Sequence, residues 1–286
     1  MPEPFAVRPR GHHHQFKAGK TGPRPAPRDR AESGVMVTPL ARGLAVLAAF
    51  SAEQIWMGNK QIALDTGLPP STVSRMLRSL TTLGYLHHDE AQRKYRLAAT
   101  ALGLGYAAIA DGDLQRVAGP EMRRLAESTD TYVTLSMRDR LNLVVIDSYL
   151  GSQAMLSLDM TPGTRMSIAC SVAGAALLAA LPELERSYLQ TRLQNKADRE
   201  WPAQRRRIAE KISQVHELGF AMSPGEWVPE LSSASTPVII PERPPWVLSC
   251  TGLTARIPRV RLEREIGPRL VATAQLLQQK LAAQPH

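Results

Sequence analysis

The chain has 286 residues, enough for about two domains, and its 43% hydrophobic and 21% charged residues are typical of globular proteins. Its two cysteines, Cys170 and Cys250, exclude a disulfide-rich fold and indicate a reducing, cytoplasmic setting. The longest apolar run, residues 168–181, is shorter than the ~20 residues of a membrane-spanning helix, so no membrane is expected as a partner. The formal net charge of +9 instead indicates a polyanionic partner, above all nucleic acid.

The positive charge is concentrated near the start of the chain. Residues 1–36 contain seven Lys and Arg against three Asp and Glu, and residues 37–99 contain seven against four. These residues hold +7 of the net +9, which predicts a polyanion-binding end on a nearly neutral body. Because residues 1–36 are rich in proline and glycine, we expect a flexible basic tail there, without a metal or cofactor.

The next segment has the pattern of three helices and a hairpin. Apolar residues at helical spacing follow Thr38 and Pro39, a favourable cap and first position, and a second helix should end at Gly67. The third helix should run from Pro70 to Gly84, and its expected buried residues are Val73, Met76, Leu77, Leu80 and Leu83. Apolar alternation around a polar turn at 89–92 predicts a two-stranded wing. Residues 37–98 are therefore predicted to form a winged helix-turn-helix domain.

The remainder mixes helices and strands without a regular alternation of the two. We expect a linker helix at 99–114 and then one α+β domain at 115–284. Within it, strands are predicted at 132–138, 141–150, 154–160, 235–240 and 246–253, and helices at 114–128, 171–181, 183–193, 203–218 and 259–281.

The outward face of the third helix has the chemistry of a DNA-contacting surface. With its apolar residues buried, the exposed positions are Ser71, Thr72, Ser74, Arg75 and Arg78. A helix fits the DNA major groove, where short hydroxyls allow close approach and arginine can bind guanine O6 and N7. Arg42 on the first helix and Arg93 and Lys94 on the wing would contact the phosphate backbone. The alternative is that these polar residues only solvate a helix face.

Several segments, in order, resemble those of a known family. They are "ARGLAVLAAF", "TGLPPSTVSRMLRSLTTLGYL", "KYRLAATALGLGY", "PGTRMSIACSVAGAALLAALP", "GFAMSPGEWVPELSSASTPV" and "VLSCTGLTARI". Together they resemble the IclR family of bacterial transcriptional regulators from about Val37 to the C-terminus. The resemblance implies an N-terminal winged helix-turn-helix, joined by a linker helix to a C-terminal GAF-like, mixed α/β effector-binding domain. It implies no enzymatic activity.

The resemblance also implies partners and an effector site. The partners are a double-stranded DNA operator with an inverted repeat, a small organic acid such as an aromatic or 2-oxo acid, and further copies of the chain in a homodimer or homotetramer. The effector residues carried over by position are Gly163, Ser171, Glu226, Ser233, Ala234, Ser249 and Thr251. Hydroxyls and backbone N–H groups near a strand end can hold a carboxylate without a buried arginine. The alternative is that these small residues only pack on a sheet.

Two other classes of function are considered. An enzyme could use Cys170 or Cys250 as nucleophile with His87, His88 or His216 as base, but both cysteines lie in apolar segments and no catalytic motif accompanies them. A winged domain could alternatively dock protein or RNA, without a small-molecule effector. Sequence preference among DNA duplexes separates that function from transcriptional regulation.

Overall fold

The computed structural model describes residues 37–50, 54–109, 114–152, 154, 160–197 and 200–283. The chain divides into two compact units at the bond between Leu97 and Ala98. Each unit combines helices with an antiparallel sheet, in agreement with the predicted α+β class. The predicted tail at 1–36 lies outside the described residues, and the boundaries 37–98, 99–114 and 115–284 stay predictions. No helix in the described ranges is both long enough and apolar enough to cross a membrane.

The described part of the first unit contains three helices and a small sheet. Its elements are α1 (Thr38–Leu47), β1 (Met57–Gly58), α2 (Asn59–Thr66), α3 (Pro70–Thr82), β2 (Leu86–Asp89) and β3 (Lys94–Leu97). The strand order is β1-β3-β2, and both pairings are antiparallel. The hairpin of β2 and β3 is the predicted wing, whereas the sequence analysis missed β1 because two residues are too few to show alternation.

The core of the first unit differs from the predicted one at both ends of the helical segment. The side chains of Val46, Ile62, Val73 and Leu77 are fully buried. In α1, Leu40 is 62% and Leu44 56% exposed, and Val46 reaches the core instead. Leu83 was expected in the buried face of α3, but it follows the last helical residue and is 65% exposed. That prediction was wrong: Leu83 continues the helical backbone as the C-cap, but it lies beyond Leu80, the last residue of α3 that is buried in the core.

Within its described residues, the second unit contains a six-stranded sheet and seven α-helices, with short π and 3₁₀ turns. The helices are α4 (Ala99–Ile109), α5 (Gly119–Thr129), α6 (Val172–Ala180), α7 (Glu183–Ala197), α8 (Trp201–Leu218), α9 (Arg259–Arg261) and α10 (Gly267–Ala282). The strands are β4 (Tyr132–Asp139), β5 (Asn142–Leu150), β6 (Arg165–Ser167), β7 (Ala221–Pro224), β8 (Leu231–Val238) and β9 (Trp246–Leu253). Most of the strand predicted at 154–160 lies outside the described residues, and β6 and β7 were not predicted.

The six-stranded sheet separates two layers of helices. Its order is β6-β5-β4-β9-β8-β7, with every neighbouring pair antiparallel. One apolar cluster includes Val133 and Leu248 of the sheet with residues of α5 and α10. The other includes Leu143 and Val247 with residues of α6 and α8. Successive residues of a strand point to opposite sides of the sheet. We name the side with α5 and α10 the α10 face, and the side with α6 and α8 the α6 face.

Helix α6 approaches the backbone that precedes it very closely. Ser171 caps the helix: its Oγ accepts the Gly174 N–H at 3.0 Å and donates to the Ser167 carbonyl at 2.8 Å. A side-chain carbon at Gly174 would overlap with the carbonyl oxygen of Ile168. Since the obstacle is backbone, it cannot rotate away, and only glycine fits at this position.

We therefore expect Gly174→Ala to lower the free energy of unfolding by about 1–3 kcal/mol, the usual cost of forcing an extra carbon into a packed site. Gly103→Ala in α4 is the matched control, because an added methyl there meets no described atom within 4 Å. That substitution should leave the free energy of unfolding unchanged or raise it by up to ~1 kcal/mol, since alanine is the better helix former. Chemical denaturation measures both, and equal effects would contradict the close contact at Gly174.

Candidate functional site

In the first unit, α3 divides into a buried and an exposed side. Val73 and Leu77 are fully buried and Leu80 nearly so. Seven of the eight residues predicted to contact DNA are exposed, and Thr72 is half-buried; the seven are Arg42, Ser71, Ser74, Arg75, Arg78, Arg93 and Lys94. Arg75 and Arg78 are three residues apart and so lie on one side of the helix. The described surface of α3 is thus polar and basic.

The start of α3 is held in place by α2. The amide of Asn59 donates a short hydrogen bond to Ser74 Oγ and a longer one, at 3.4 Å, to the Pro70 carbonyl. Gly67 ends α2 in the left-handed conformation, at φ 68°, which any residue with a side chain rarely adopts. Ser74 was predicted as a DNA contact, and the structure gives its hydroxyl a partner inside the helix-turn-helix. This role of Asn59 was not predicted from the sequence.

The wing presents basic residues at its tip. Arg93 has φ 53° in the turn, and the Gln92 N–H donates to the Asp89 carboxylate at 3.0 Å, which fixes the turn. Lys94 opens β3 opposite Asp89. Farther along β3, the guanidinium of Arg96 lies 5.1 Å from the centre of the Trp56 ring, a cation–π contact that the sequence analysis did not predict.

In the second unit, hydroxyl side chains form a patch on the α6 face. They occupy alternate positions of three adjacent strands: Thr134 and Ser136 of β4, Ser249 and Thr251 of β9, and Ser233 and Ser235 of β8. The strand register places Thr134 beside Ser249 and Ser249 beside Ser235. It also places Thr251 beside Ser233. We call these six residues the hydroxyl patch.

The hydroxyls of the patch differ in whether they have a partner. Ser235 and Ser249 share a hydrogen bond of 2.8 Å, and Ser233 and Thr251 share one of 3.0 Å. The hydroxyls of Thr134 and Ser136 are completely buried and have no hydrogen-bond partner in the described structure. Three of the four paired residues were predicted from the sequence. Ser235 and both unpaired residues were not, because residues 132–138 were predicted only as a strand.

Three further predicted effector residues have different surroundings. Ala234 points to the α10 face, where it belongs to the apolar cluster with α5 and α10, so its side chain is on the opposite side from Ser233. Gly163 is exposed, has φ 95°, and donates its N–H to the Val145 carbonyl at 2.8 Å. Ser171 caps α6. The structure therefore brings Ser233, Ser249 and Thr251 together but not Ala234.

Glu226 is bound to a residue that the sequence analysis missed. Its carboxylate oxygens lie 2.7 and 2.8 Å from Nζ of Lys211 on α8. The Lys211 side chain is only 3% exposed, and a buried ammonium is strongly destabilising without a counter-charge. Glu226, with 37% of its side chain exposed, supplies that charge and holds the β7–β8 connection against α8.

The described hydrogen-bond partners of the two cysteines are Thr131, Thr129 and Gln204, and no histidine is among them. Burial raises the pKa of the Cys250 thiol to about 12, and hydrogen bonds with Thr131 and Thr129 offset this only in part. The thiol is therefore protonated and unreactive at neutral pH. Cys170 is exposed and accepts a 3.5 Å contact from the Gln204 amide, His216 is exposed on α8, and His87 and His88 belong to the first unit. Among the described residues, no group of three or more His, Cys, Asp or Glu could hold a metal ion.

Comparison with known proteins assigns both units. Residues 39–90 match the IclR helix-turn-helix domain, and residues 106–279 match the C-terminal domain of bacterial IclR transcriptional regulators. The chain is 32% identical over 256 residues to the HTH-type transcriptional regulator TsaQ1/TsaQ2 of Comamonas testosteroni, an alignment that covers 88% of this chain and 91% of that protein.

Solved structures show the same fold. An IclR family transcriptional regulator from Brucella abortus is 33% identical, with a TM-score of 0.79, and the match covers 91% of this chain and 97% of that one. An IclR homologue from Microbacterium hydrocarbonoxydans, complexed with 4-hydroxybenzoate, is 20% identical with a TM-score of 0.67, covering 86% and 100%. At this identity, the comparison shows only that the two proteins share a fold. The chain belongs to the IclR family of bacterial transcriptional regulators and carries that family's DNA-binding helix-turn-helix domain.

Proposed function

We propose that this regulator binds an inverted-repeat operator as a homodimer or homotetramer and that a small organic acid in its second unit sets operator occupancy. The observation that carries the proposal is the two-sided helix α3. Val73 and Leu77 anchor it in the core, while Arg75 and Arg78 stay exposed. A regulator with this task acts where the chromosome lies, in the cytoplasm.

The DNA contacts divide into two kinds. Ser71 and Thr72 lie in the first turn of α3 and are small enough for close approach to the groove, and Arg75 and Arg78 can bind guanine edges. Arg42, Arg93 and Lys94 are exposed on α1 and the wing, where they would bind phosphates and contribute affinity rather than sequence choice. The main role of Ser74 is to accept the hydrogen bond from Asn59 that fixes the start of the helix.

Self-association would supply the specificity that one winged domain lacks. A single domain contacts few base pairs, whereas a symmetric pair contacts two half-sites. Two apolar surfaces support this proposal: Leu40 and Leu44 on α1 are mostly exposed, and so are Leu102 and Leu104 on α4, at 74% and 57%. We propose the linker helix and residues 116–127 as candidates for the contact between copies.

The hydroxyl patch is the proposed effector site. Ser233, Ser249 and Thr251 offer hydroxyl groups that can donate to a carboxylate, and Gly163 and Ser171 would contribute the surrounding loop and helix start. Ala234 can act only through its backbone, because its side chain is in the other core. Glu226 would border the site from the connection that Lys211 fixes.

Two other functions have less support. If the winged domain docked protein or RNA instead, the basic face of α3 would bind different DNA sequences equally well. Catalysis would need a reactive thiol or base, and Cys250 is protonated by virtue of its burial. We propose that the chain is not an enzyme.

Arg75→Ala should weaken binding to a specific duplex by ~1–3 kcal/mol, about 5- to 150-fold, because it removes a base contact. The probe is a duplex that the full-length protein selects from a randomised pool, and fluorescence anisotropy gives Kd. Binding to random duplex should fall much less, since phosphate contacts dominate there.

Arg205→Ala is the control for Arg75→Ala, since Arg205 is an exposed arginine on α8. It should leave Kd for the selected duplex unchanged. An equal loss on selected and random DNA would make Arg75 a phosphate contact, and failure to select any sequence from the pool would favour the interaction module.

Ser249→Ala combined with Thr251→Ala should abolish the effector response and leave DNA binding by the apo-protein intact. The measurement is the rise in Tm that organic acids produce, because a ligand that binds only the folded state stabilises it. A panel of aromatic and 2-oxo acids, including 4-hydroxybenzoate, serves as the probe.

Ser232→Ala provides a matched control for the hydroxyl patch. Ser232 is fully buried on β8 and donates to Thr254 Oγ1 at 3.2 Å, but it precedes Ser233 and so points to the opposite face. It should lower Tm and preserve the ligand-induced rise. A preserved rise in the Ser249→Ala, Thr251→Ala protein would place the effector elsewhere.

A further inference from the structure

Two unpaired hydroxyls lie side by side beneath the α6 face. Among buried side-chain nitrogen and oxygen atoms of the described residues, only Thr81 Oγ1, Thr134 Oγ1, Ser136 Oγ and Gln204 Oε1 lack a partner. Thr81 and Gln204 belong to separate helices, whereas Thr134 and Ser136 are alternate residues of β4. Each unsatisfied buried polar group costs about 1–3 kcal/mol, so a pair on one strand requires an explanation.

The neighbours of these two residues do not bond to their hydroxyls in the described structure. Thr134 lies between Ser249, which is bonded to Ser235, and Ser148, which is 3.3 Å from the Tyr132 hydroxyl. Ser136 lies between Val145 and Val247, which have no polar side-chain atoms. Packing alone does not account for the hydroxyls either, since valine has nearly the shape of threonine and would fill position 134 without a polar group.

Polarity falls along the α6 face from one end of the hydroxyl patch to the other. The row at Thr251 contains Ser233 and Tyr132, and the next row contains Thr134, Ser235 and Ser249. In the following row, Ser136 is the one hydroxyl beside Val247 and Val145. A charged ligand group beside these valines would be desolvated without a counter-charge, whereas a neutral hydroxyl can both donate to and accept from serine and threonine.

We propose that Thr134 and Ser136 form a subsite for a hydroxyl group of the effector, whose carboxylate lies at the Ser233–Thr251 end of the hydroxyl patch. This proposal rests on the proposed function and narrows the ligand class to hydroxy acids. Four residues of strand at ~3.3 Å each separate the two end rows by about 13 Å. Two hydrogen bonds of ~2.8 Å leave about 7 Å for the ligand, which one aromatic ring with polar groups at opposite positions fills. Ser136 and Thr134 would distinguish such an acid from its analogue without the hydroxyl.

The test compares 4-hydroxybenzoate with benzoate, two acids that differ by one hydroxyl. The wild-type full-length protein should bind 4-hydroxybenzoate at least about tenfold more tightly, by calorimetry, because a hydrogen-bonding subsite penalises a ligand that leaves it empty. Thr134→Val combined with Ser136→Ala should bring the ratio of the two Kd values close to one. The change should come from weaker 4-hydroxybenzoate binding, with Kd for benzoate unaltered.

The Tm of the ligand-free protein gives a second, independent readout. Thr134→Val should leave Tm unchanged or raise it, because it removes an unpaired buried hydroxyl. Thr236→Val is the matched control: Thr236 is 3% exposed, lies on the α10 face of β8, and donates to the Gly219 carbonyl at 2.7 Å. This control should lower Tm and leave the ratio of the Kd values as in wild type.

Each contrary result has a distinct meaning. Equal wild-type affinity for the two acids, or a preference that survives in the double variant, overturns the subsite and leaves the proposed effector function standing. A fall in Tm for Thr134→Val as large as that of Thr236→Val shows that the hydroxyl already has a partner, such as a buried water, and also overturns it. If neither acid binds, the hydroxy-acid assignment is wrong, and binding of the selected duplex by the same preparation shows whether the DNA-binding function stands.

Discussion

The alternation of side chains along β4, β8 and β9 is the constraint on which the second unit depends. Val133 and Leu135 point to the α10 face, and Thr134 and Ser136, between and beyond them, point to the α6 face. The same three strands therefore build an apolar core on one side and the hydroxyl patch on the other. A slip of one residue in the register would exchange the two sets and bury hydroxyls in the apolar core. Continuous antiparallel pairing of β4 with β9 and of β9 with β8 prevents that exchange.

Helix α3 likewise has one buried and one exposed side, and its buried residues recur at helical spacing. Val73, Leu77 and Leu80 fix its rotation about its own axis, and Asn59 fixes its start through Ser74 and Pro70. Arg75 and Arg78 are then exposed because the rest of the helix is fixed, and they need no contacts of their own to stay at the surface. The basic face of the helix therefore contributes no binding energy within the protein itself and is available to bind a polyanion.

Much of this organisation could be predicted from the sequence, and the errors have physical causes. The spacing of Val73 and Leu77 and the glycine at 67 were sufficient for α3 and the turn before it, because both signals are local. The outward leucines of α1 were not recognised, since Leu40 and Leu44 have helical spacing whichever side they face and only tertiary contacts select Val46. Ala234 was grouped with Ser233 as a neighbour in sequence, although neighbours on a strand point to opposite faces. Thr134, Ser136 and Lys211 carried no motif, and their burial is a property of the folded chain alone.

The two units rely on different physical forces. The first 99 residues hold +7 of the net +9, so their attraction to DNA is electrostatic and falls with salt, whereas the hydroxyl patch has no charged side chain and, in the proposed function, would bind its ligand through neutral hydroxyl groups. An effector bound at that patch cannot change DNA affinity by altering the charge of the DNA-contacting surface. It can shift an equilibrium only by the difference in its affinity for two arrangements of the elements that it touches. The elements closest to the patch are held by specific contacts: α6 by Ser171 and Gly174, and the β7–β8 connection by the ion pair of Lys211 and Glu226. In the proposed function, ligand binding at the α6 face would act on these contacts, because they position the elements nearest the patch.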